Sequence, residues 1–518
     1  MKRQDLTDSA KSNFDFKVEQ AIACKISHET GQTSNSDKAL EITRTGVQYK
    51  FGVFTKSLSH NSKGEVTAAD WDKLTYALLT GSQADFNLIT LGLGERKLTN
   101  PQASLAFGTI GADSHGKTIA ACPSVQSRAG GAEMVEVYEH ALNRDIPFHT
   151  LEAVAANTDA DRAVTGLNAF GGDFIGPKIG GVVTRKTLFR GAAEGCVLGP
   201  YISQFLYQPV AYGAGTITQK YKTETSVDYG TDLADYLDIQ NGKSYDPDVG
   251  LSVEKYIFDA RVLGSYVHRD AAFQAYYNAA LILLGSGANL DPDNPYVDGS
   301  ITKESPFLSL GPAMILSHVA AVIESALKAA WHQKWNVHMR LRPEAMASRV
   351  HFQDIVDTDY SLHADLMSSA TVAAIKAANG TTALLPLQYP EGSPTHPSYP
   401  AGHAVVAGAS VTVLKAFFDE STSVSSLFTV NHSEDGDSLI AYSGSSAGMT
   451  VGTELNKLGA NIAIGRNWAG VHYRSDGDKG MELGEKIAIQ YLKDVKASYN
   501  ESFAGFNLTK FDGSTIII

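Results

Sequence analysis

The sequence predicts a mainly α protein: helical bundles, two of four-helix type, forming one large body with few short strands. Three observations predict it. Apolar residues recur at helical spacing in several long windows. Runs with strand character are few. Of 518 residues, 43% are hydrophobic, enough for a large core. The charge balance, 43 Lys and Arg against 56 Asp and Glu for a net −13, argues against nucleic acid as the main partner. Cys24, Cys122 and Cys196 are scattered, which excludes a disulfide scaffold and a paired-cysteine zinc site.

Residues 1–60 are polar and mixed, an irregular arm suited to subunit contacts. Residues 61–300 form an N-terminal helical region, and residues 301–518 a C-terminal bundle carrying the site. The boundary falls near 290–305, where Asp291-Pro292-Asp293-Asn294-Pro295 interrupts the helical pattern. The first 16 residues lack the apolar core of a signal peptide, and no unbroken run reaches the ~18 apolar residues of a membrane helix. The longest candidate is 279–284. These features predict a soluble chain without a membrane partner, cytoplasmic or of undetermined location.

Strand signals cover 46–53 and 514–518. Helix 132–143 places Met134, Val135, Tyr138, Ala141 and Leu142 on one face. Residues 270–284 are apolar almost all round and predict a central buried helix. Residues 313–331 carry a continuous apolar stripe from Met314 to Trp331. Residues 481–491 behave similarly, with Lys493 and Lys496 suiting a helix C-terminus. The segment 420–448, rich in Ser, Gly, Asp and Thr, predicts a long surface loop. No fixed-period repeat is visible.

The chemistry concentrates in the last third. Lys334 follows the 313–331 helix, and Arg342 comes eight residues later, before Pro343. A continuing helix would put both on one face. Taken alone, this is a solvated basic helix end. Pro400-Ala401-Gly402-His403 precedes the apolar run 404–418, so it opens a helix whose free N–H groups suit an anion. Taken alone, it is an ordinary turn with a packed His. Arg466 lies six residues before His472, and Asp476 four after it, so a helical turn would let Asp476 orient the imidazole. Taken alone, that is a surface ion pair. Together the segments supply three cations, His396, His403 and His472, and a Gly-containing helix start. This is the inventory for holding a tetrahedral oxyanion.

These residues in this order resemble the vanadium-dependent haloperoxidases, in particular the bromoperoxidases of red algae and cyanobacteria. The wider superfamily is that of the phosphatidic-acid-phosphatase type 2 enzymes. The matching pattern is Lys334, Arg342-Pro343, Pro400-Ala401-Gly402-His403, Arg466, His472 and Asp476. Segments 132–148 and 199–209 resemble bromoperoxidase segments too, so the resemblance spans most of the chain.

The resemblance implies vanadate as cofactor, with His472 as the vanadium ligand. It implies Lys334, Arg342 and Arg466 on the vanadate oxygens, with a further bond from the Gly402 N–H, at the position flanked by Ala401 and His403. It assigns His403 as acid/base, Lys334 and His396 as further catalytic groups, and Asp476 as the partner that orients His472. It implies oxidation of bromide and iodide by hydrogen peroxide to a hypohalous acid equivalent, which halogenates small organic substrates bound loosely or not at all. Ala401 departs from the family, which carries serine there. Losing that hydroxyl removes one charge-assisted bond, ~1.5–3 kcal/mol. The resemblance also implies a homo-oligomer, with a dodecamer as one form it could take. Structural Ca²⁺ at Asp291, Asp293, Asn294 and Asp298 is a further expectation drawn from relatives.

Two other readings stay open at this stage. One is an acid phosphatase with His472 as phosphoryl acceptor. The other is a weakened anion-binding oligomer, suggested by Ala401. His338 reads as a packed helix residue. Trp331, Trp335 and Trp468 read as site wall or core, and Tyr276 and Tyr277 as core. Residues 452–459 lack the Gly-Lys-Ser/Thr of a P-loop.

Overall fold

The computed structural model describes residues 33–518 with 11, 12, 15, 16 and 19, except 95, 107, 109–112, 154–156 and 247–250. Cys24 and most of the predicted arm before residue 33 lie outside the described residues.

Helices dominate, and the strands are short. Eight helices frame the site: α1 (Arg128–Asn143), α2 (Ala260–Arg269), α3 (Gln274–Gly285), α4 (Pro312–His332), α5 (Pro343–Asp354), α6 (Gly402–Phe417), α7 (Val451–Trp468) and α8 (Arg474–Ser498). One apolar core draws on residues from Phe51 to Ile518. Strand Val47–Lys50 falls within the expected 46–53 and joins a three-stranded antiparallel sheet with Glu41–Arg44 and Val66–Thr67. Thr515–Ile517 pairs with Asn507–Thr509. Segment 420–448 holds one small hairpin, Asn431–His432 with Ile440–Ala441.

Several helices differ from the pattern read in the sequence. The expected helix 270–284 starts later: α2 ends at Arg269, Asp270 is extended, and α3 runs from Gln274 to Gly285. The break frees Asp270 from a helix. Helix α1 is buried on nearly every side rather than along one face. Its carboxylates point inward to arginines: Glu133 meets Arg340 at 2.5 Å, and Glu136 meets Arg474. The longest apolar helix is not at 279–284 but runs 312–338, with a mean hydropathy of 1.4 over its best window. Ser317, His318 and Glu324 interrupt it, so it contains no unbroken run. Half of that window is buried against the protein, as in a core helix.

The most extensive helix pair is α6 on α8, and small residues make it possible. A Cβ at Gly408 would lie 2.1 Å from the Met481 carbonyl oxygen, and one at Gly484 2.1 Å from that of Val405. The two backbones are in contact where any side chain would wedge them apart. This close approach brings the start of α6 beside the start of α8, where the Ala401 N–H donates to the Asp476 carbonyl at 2.9 Å.

Asp291 and Asp298 accept backbone N–H bonds inside their own turns, and Asn294 bridges to the Leu310 carbonyl. Among the described residues, no three His, Cys, Asp or Glu side chains gather as a metal-holding group.

Candidate functional site

Three segments of the last third meet at a cavity of about 160 Å³, lined among others by His396, Gly402, His403, Arg466 and His472. Lys334 and Arg342 converge just behind it, but not along one helix as the spacing suggested. α4 passes into a π-helical turn, Gln333–His338, closed by Met339 in the left-handed region at φ 49°. The Met339 N–H bonds the Lys334 carbonyl at 2.9 Å, and the helix stops there. Arg342 is the N-cap of α5, ahead of Pro343. The two cations meet because both grip segment 396–398. Lys334 Nζ donates to the Pro397 and Ser398 carbonyls at 2.7 and 2.9 Å. Arg342 donates to the His396 carbonyl at 2.9 Å and to the Val471 carbonyl at 2.6 Å.

His472 and Asp476 also meet by another route than the expected helical turn. α8 begins at Arg474, so His472 precedes it. Asp476 turns back over the helix start and accepts from the Tyr473 N–H at 3.1 Å. Its Oδ2 lies 2.8 Å from His472 Nδ1, and the Ser398 hydroxyl donates to the same oxygen. Arg340 donates to Oδ1 at 2.6 Å. Burial alone would raise the Asp476 carboxyl, but Arg340 and His472 hold it well below the usual carboxylate range. A carboxylate only accepts, so Nδ1 carries the proton and Nε2 keeps its lone pair. Arg342 Nη1 stands 3.0 Å from that nitrogen.

Arg466, near the end of α7, donates to the Val267 carbonyl at 2.8 Å and meets the Tyr389 hydroxyl at 3.2 Å. Its Nε is buried without a partner. α6 starts at Gly402 with Ala401 as N-cap, and no side chain caps it. A Cβ at Gly402 would meet only Trp331 at 3.5 Å and Leu327 at 3.9 Å, so its backbone borders open space. His396 is buried, with Nδ1 3.1 Å from Arg342. His403 sits nearer solvent, with Nε2 3.0 Å from Asp270 Oδ1.

The electrostatics are lopsided. Lys334, Arg342 and Arg466 are at most 4% exposed. Their hydrogen bonds go to carbonyls, imidazoles and a hydroxyl, and among the described residues none of them forms an ion pair. Burial first, then Arg342, pushes the Lys334 amine well down. Burial pushes Arg342 down to about 9. Burial and these cations likewise hold His396 and His472 well below the ordinary imidazole range. Asp476 and Glu344 offset part of this charge at a distance, but buried cations without an ion-pair partner are costly, and a small anion among them lowers the cost. The orphaned Arg466 Nε, the uncapped start of α6 and the His472 lone pair all suit a tetrahedral oxyanion with an electrophilic centre, so vanadate fits the residues present.

The structure therefore brings together every residue singled out in the three segments. It adds four that the reading missed. Arg340 stood in plain sight two residues before Arg342. Ser398 lies two residues after His396 and two before Pro400. Asp270 and Tyr389 had no local signal, because only tertiary folding brings them to the site.

A helical body that packs buried cations without ion-pair partners and an imidazole beside one cavity is suited to hold an oxyanion. Its relatives narrow the class. A family model described as VCPO second helical-bundle domain matches residues 314–501. The chain is 33% identical to the vanadium-dependent bromoperoxidase of Corallina pilulifera, over 99% of both chains. It is 33% identical to that of Ascophyllum nodosum, over 89% of this chain and 86% of the relative. A solved structure, the homohexameric second vanadate-dependent bromoperoxidase of Ascophyllum nodosum, superposes with a TM-score of 0.84 at 28% identity. It covers 97% of this chain and 89% of its own. The chain belongs to the vanadium-dependent bromoperoxidase family. These relatives do not favour the phosphatase alternative.

Proposed function

We propose that this protein is a vanadate-dependent enzyme that uses hydrogen peroxide to oxidise bromide and iodide to a hypohalous acid equivalent. The observation that carries this reading is the set of buried cations, Lys334, Arg342 and Arg466, held only by neutral partners beside His472.

In this reading His472 would hold the vanadium through Nε2, oriented by Asp476 at Nδ1. Lys334, Arg342, Arg466 and the Gly402 N–H would hold the oxygens. Bound vanadate supplies a Lewis acid that polarises hydrogen peroxide towards attack by halide. The protein supplies the rest. The three cations offset negative charge in a cavity screened from water, where each is worth more than at the surface. Arg340 and Asp476 keep His472 in the tautomer with Nε2 unprotonated, facing Arg342. His403, the more exposed imidazole, donates from Nε2 to Asp270 and takes and returns protons at Nδ1. His396, packed 4.9 Å from the Trp331 ring, stays neutral beside Arg342 and offers a second imidazole near the halide. We also propose a homo-oligomer, in line with the homohexameric relative.

The test is to remove bound metal with EDTA and phosphate, add orthovanadate, and follow bromination of a diketone dye with bromide and peroxide. Turnover that depends on all three reagents supports the reading. Its absence in both this chain and Ala401→Ser contradicts it.

A further inference from the structure

Among the described residues Arg466 has no ion pair, and both of its hydrogen bonds leave from Nη1, to the Val267 carbonyl at 2.8 Å and the Tyr389 hydroxyl at 3.2 Å. Nη1 thus spends its two hydrogens on this platform, and the rest of the fork is left for an anion. Tyr389 is fully buried, and its hydroxyl donates to the Gly264 carbonyl at 2.8 Å. Burial pushes that phenol up, so it stays neutral. His268 lies over the Tyr389 ring, with centroids 3.7 Å apart and planes 10° from parallel. Its Nδ1 is 2.6 Å from Glu224 Oε1, and its Nε2 is 2.7 Å from Glu391 Oε1. Carboxylates only accept, so both ring nitrogens donate and the imidazole is charged. Burial opposes that charge, but the two carboxylates raise His268 above its ordinary value. The carboxylates are anchored in turn. Gln388 Nε2 holds the second Glu224 oxygen at 2.8 Å, and Lys56 and Arg96 donate to the Glu391 carbonyl at 2.8 and 3.1 Å. Two bonds in the plane of the imidazole stop it tilting, and the ring stacked on it is fixed with it.

We propose that His268 is a positioning residue for oxyanion binding: clamped by Glu224 and Glu391 and stacked on Tyr389, it holds the Tyr389 hydroxyl where Arg466 needs it. This rests on the vanadate reading above. A carboxylate placed on Arg466 itself would anchor the guanidinium more simply, but it would also neutralise the charge that an oxyanion needs. The clamp avoids that. It gathers both carboxylates on His268 and leaves Arg466 on a phenol and a carbonyl. Val267 and His268 are neighbours on α2, so the clamp also pins the carbonyl that is the other support of Arg466. Glu224 and Glu391 are 7% and 4% exposed. Burying two carboxylates and an imidazolium is costly, and an apolar filling of the same volume would stabilise the fold as well or better. What the cluster supplies one ring away from Arg466 is orientation, as the outer partners of a bound ion's ligands do.

The test is a double-mutant cycle, read by calorimetric titration of orthovanadate into the metal-free full-length chain. His268→Gln is compared with the parent, and His268→Gln combined with Arg466→Lys is compared with Arg466→Lys alone. Arg466→Lys keeps a cation but not the guanidinium fork that Tyr389 holds. His268→Gln is expected to weaken vanadate about fivefold or more in the parent background, and less than about twofold beside Arg466→Lys. A merely structural loss would lower affinity by the same factor in both. Tyr389→Phe keeps the ring and its stack and removes only the hydroxyl, and the same cycle is expected to show the same coupling. It carries the test if His268→Gln does not fold. A folded variant of either kind that has parent affinity, or equal factors in the two backgrounds, overturns the proposal and leaves the vanadate reading standing. No saturable binding to the parent overturns both.

Discussion

His472 Nδ1 lies 2.8 Å from Asp476 Oδ2. This contact ends a buried chain that begins at Glu133, passes through Arg340 and reaches the imidazole through one carboxylate. Asp476→Asn keeps the shape but offers Arg340 a neutral partner and frees His472 to change tautomer. Orthovanadate affinity is expected to fall about 10–100-fold, as measured by calorimetry. Stability is expected to fall by about 3 kcal/mol, because Arg340 loses half its counter-charge. Unchanged affinity would mean that Asp476 does not orient the ligand.

Gly408 and Gly484 set the distance between α6 and α8. Adding a methyl at either meets backbone rather than a yielding side chain. Gly484→Ala is expected to cost at least about 1–3 kcal/mol, and to weaken vanadate binding by shifting Gly402 against His472. A fully stable variant with parent affinity would contradict the close-approach account.

Ala401 has no hydroxyl to give an oxyanion, although its backbone sits at the α6 N-cap against the Asp476 carbonyl. Ala401→Ser adds a donor and a good N-cap residue together. Vanadate affinity is expected to rise about tenfold or more, from ~1.5–3 kcal/mol for a charge-assisted bond. A calorimetric isotherm that overlays the parent's would show that the hydroxyl does not reach the ligand.

Much of this was legible in sequence because it is local. The apolar stripe of 313–331, the Pro-Ala-Gly-His helix start and the strand ends follow from spacing and turn chemistry over a few residues. What was misread depends on how segments return. Lys334 and Arg342 share an eight-residue spacing, and a helix was the simplest way to join them. Met339 in the left-handed region breaks that helix, and only the backbone of 396–398, 54 residues beyond Arg342 and 63 beyond Lys334 at the contacts, reunites the pair. Asp270 looked like the start of a buried helix. The chain instead breaks there and delivers the carboxylate to His403.

Asp259 caps α2 by accepting the Val262 N–H at 2.8 Å, and burial pushes its carboxyl up to about 6. The folded state thus holds this proton more tightly than the unfolded chain. The associated stability is present below pH ~4 and is lost as pH rises through about 6. Asp259→Asn keeps the cap and abolishes the titration. Its melting temperature relative to the parent is expected to rise between pH 4 and 7.5, by the equivalent of about 1–3 kcal/mol. Parallel melting curves across that range would contradict it.

Among the described residues the buried Tyr276 hydroxyl has no hydrogen-bond partner. Tyr276→Phe removes an unsatisfied buried group, so the variant is expected to be as stable as the parent or up to about 1–2 kcal/mol more stable. A clear loss in thermal or denaturant melting would show that the hydroxyl has a structural partner.

The central claim is that Lys334, Arg342, Arg466 and His472 form one cage for a single tetrahedral oxyanion. Calorimetric titration of orthovanadate into metal-free protein, parent and Arg466→Gln side by side, tests it most directly. One site per chain, weakened at least tenfold in Arg466→Gln and displaced by phosphate, is the predicted result. No saturable binding to the parent, or binding indifferent to Arg466, would contradict it.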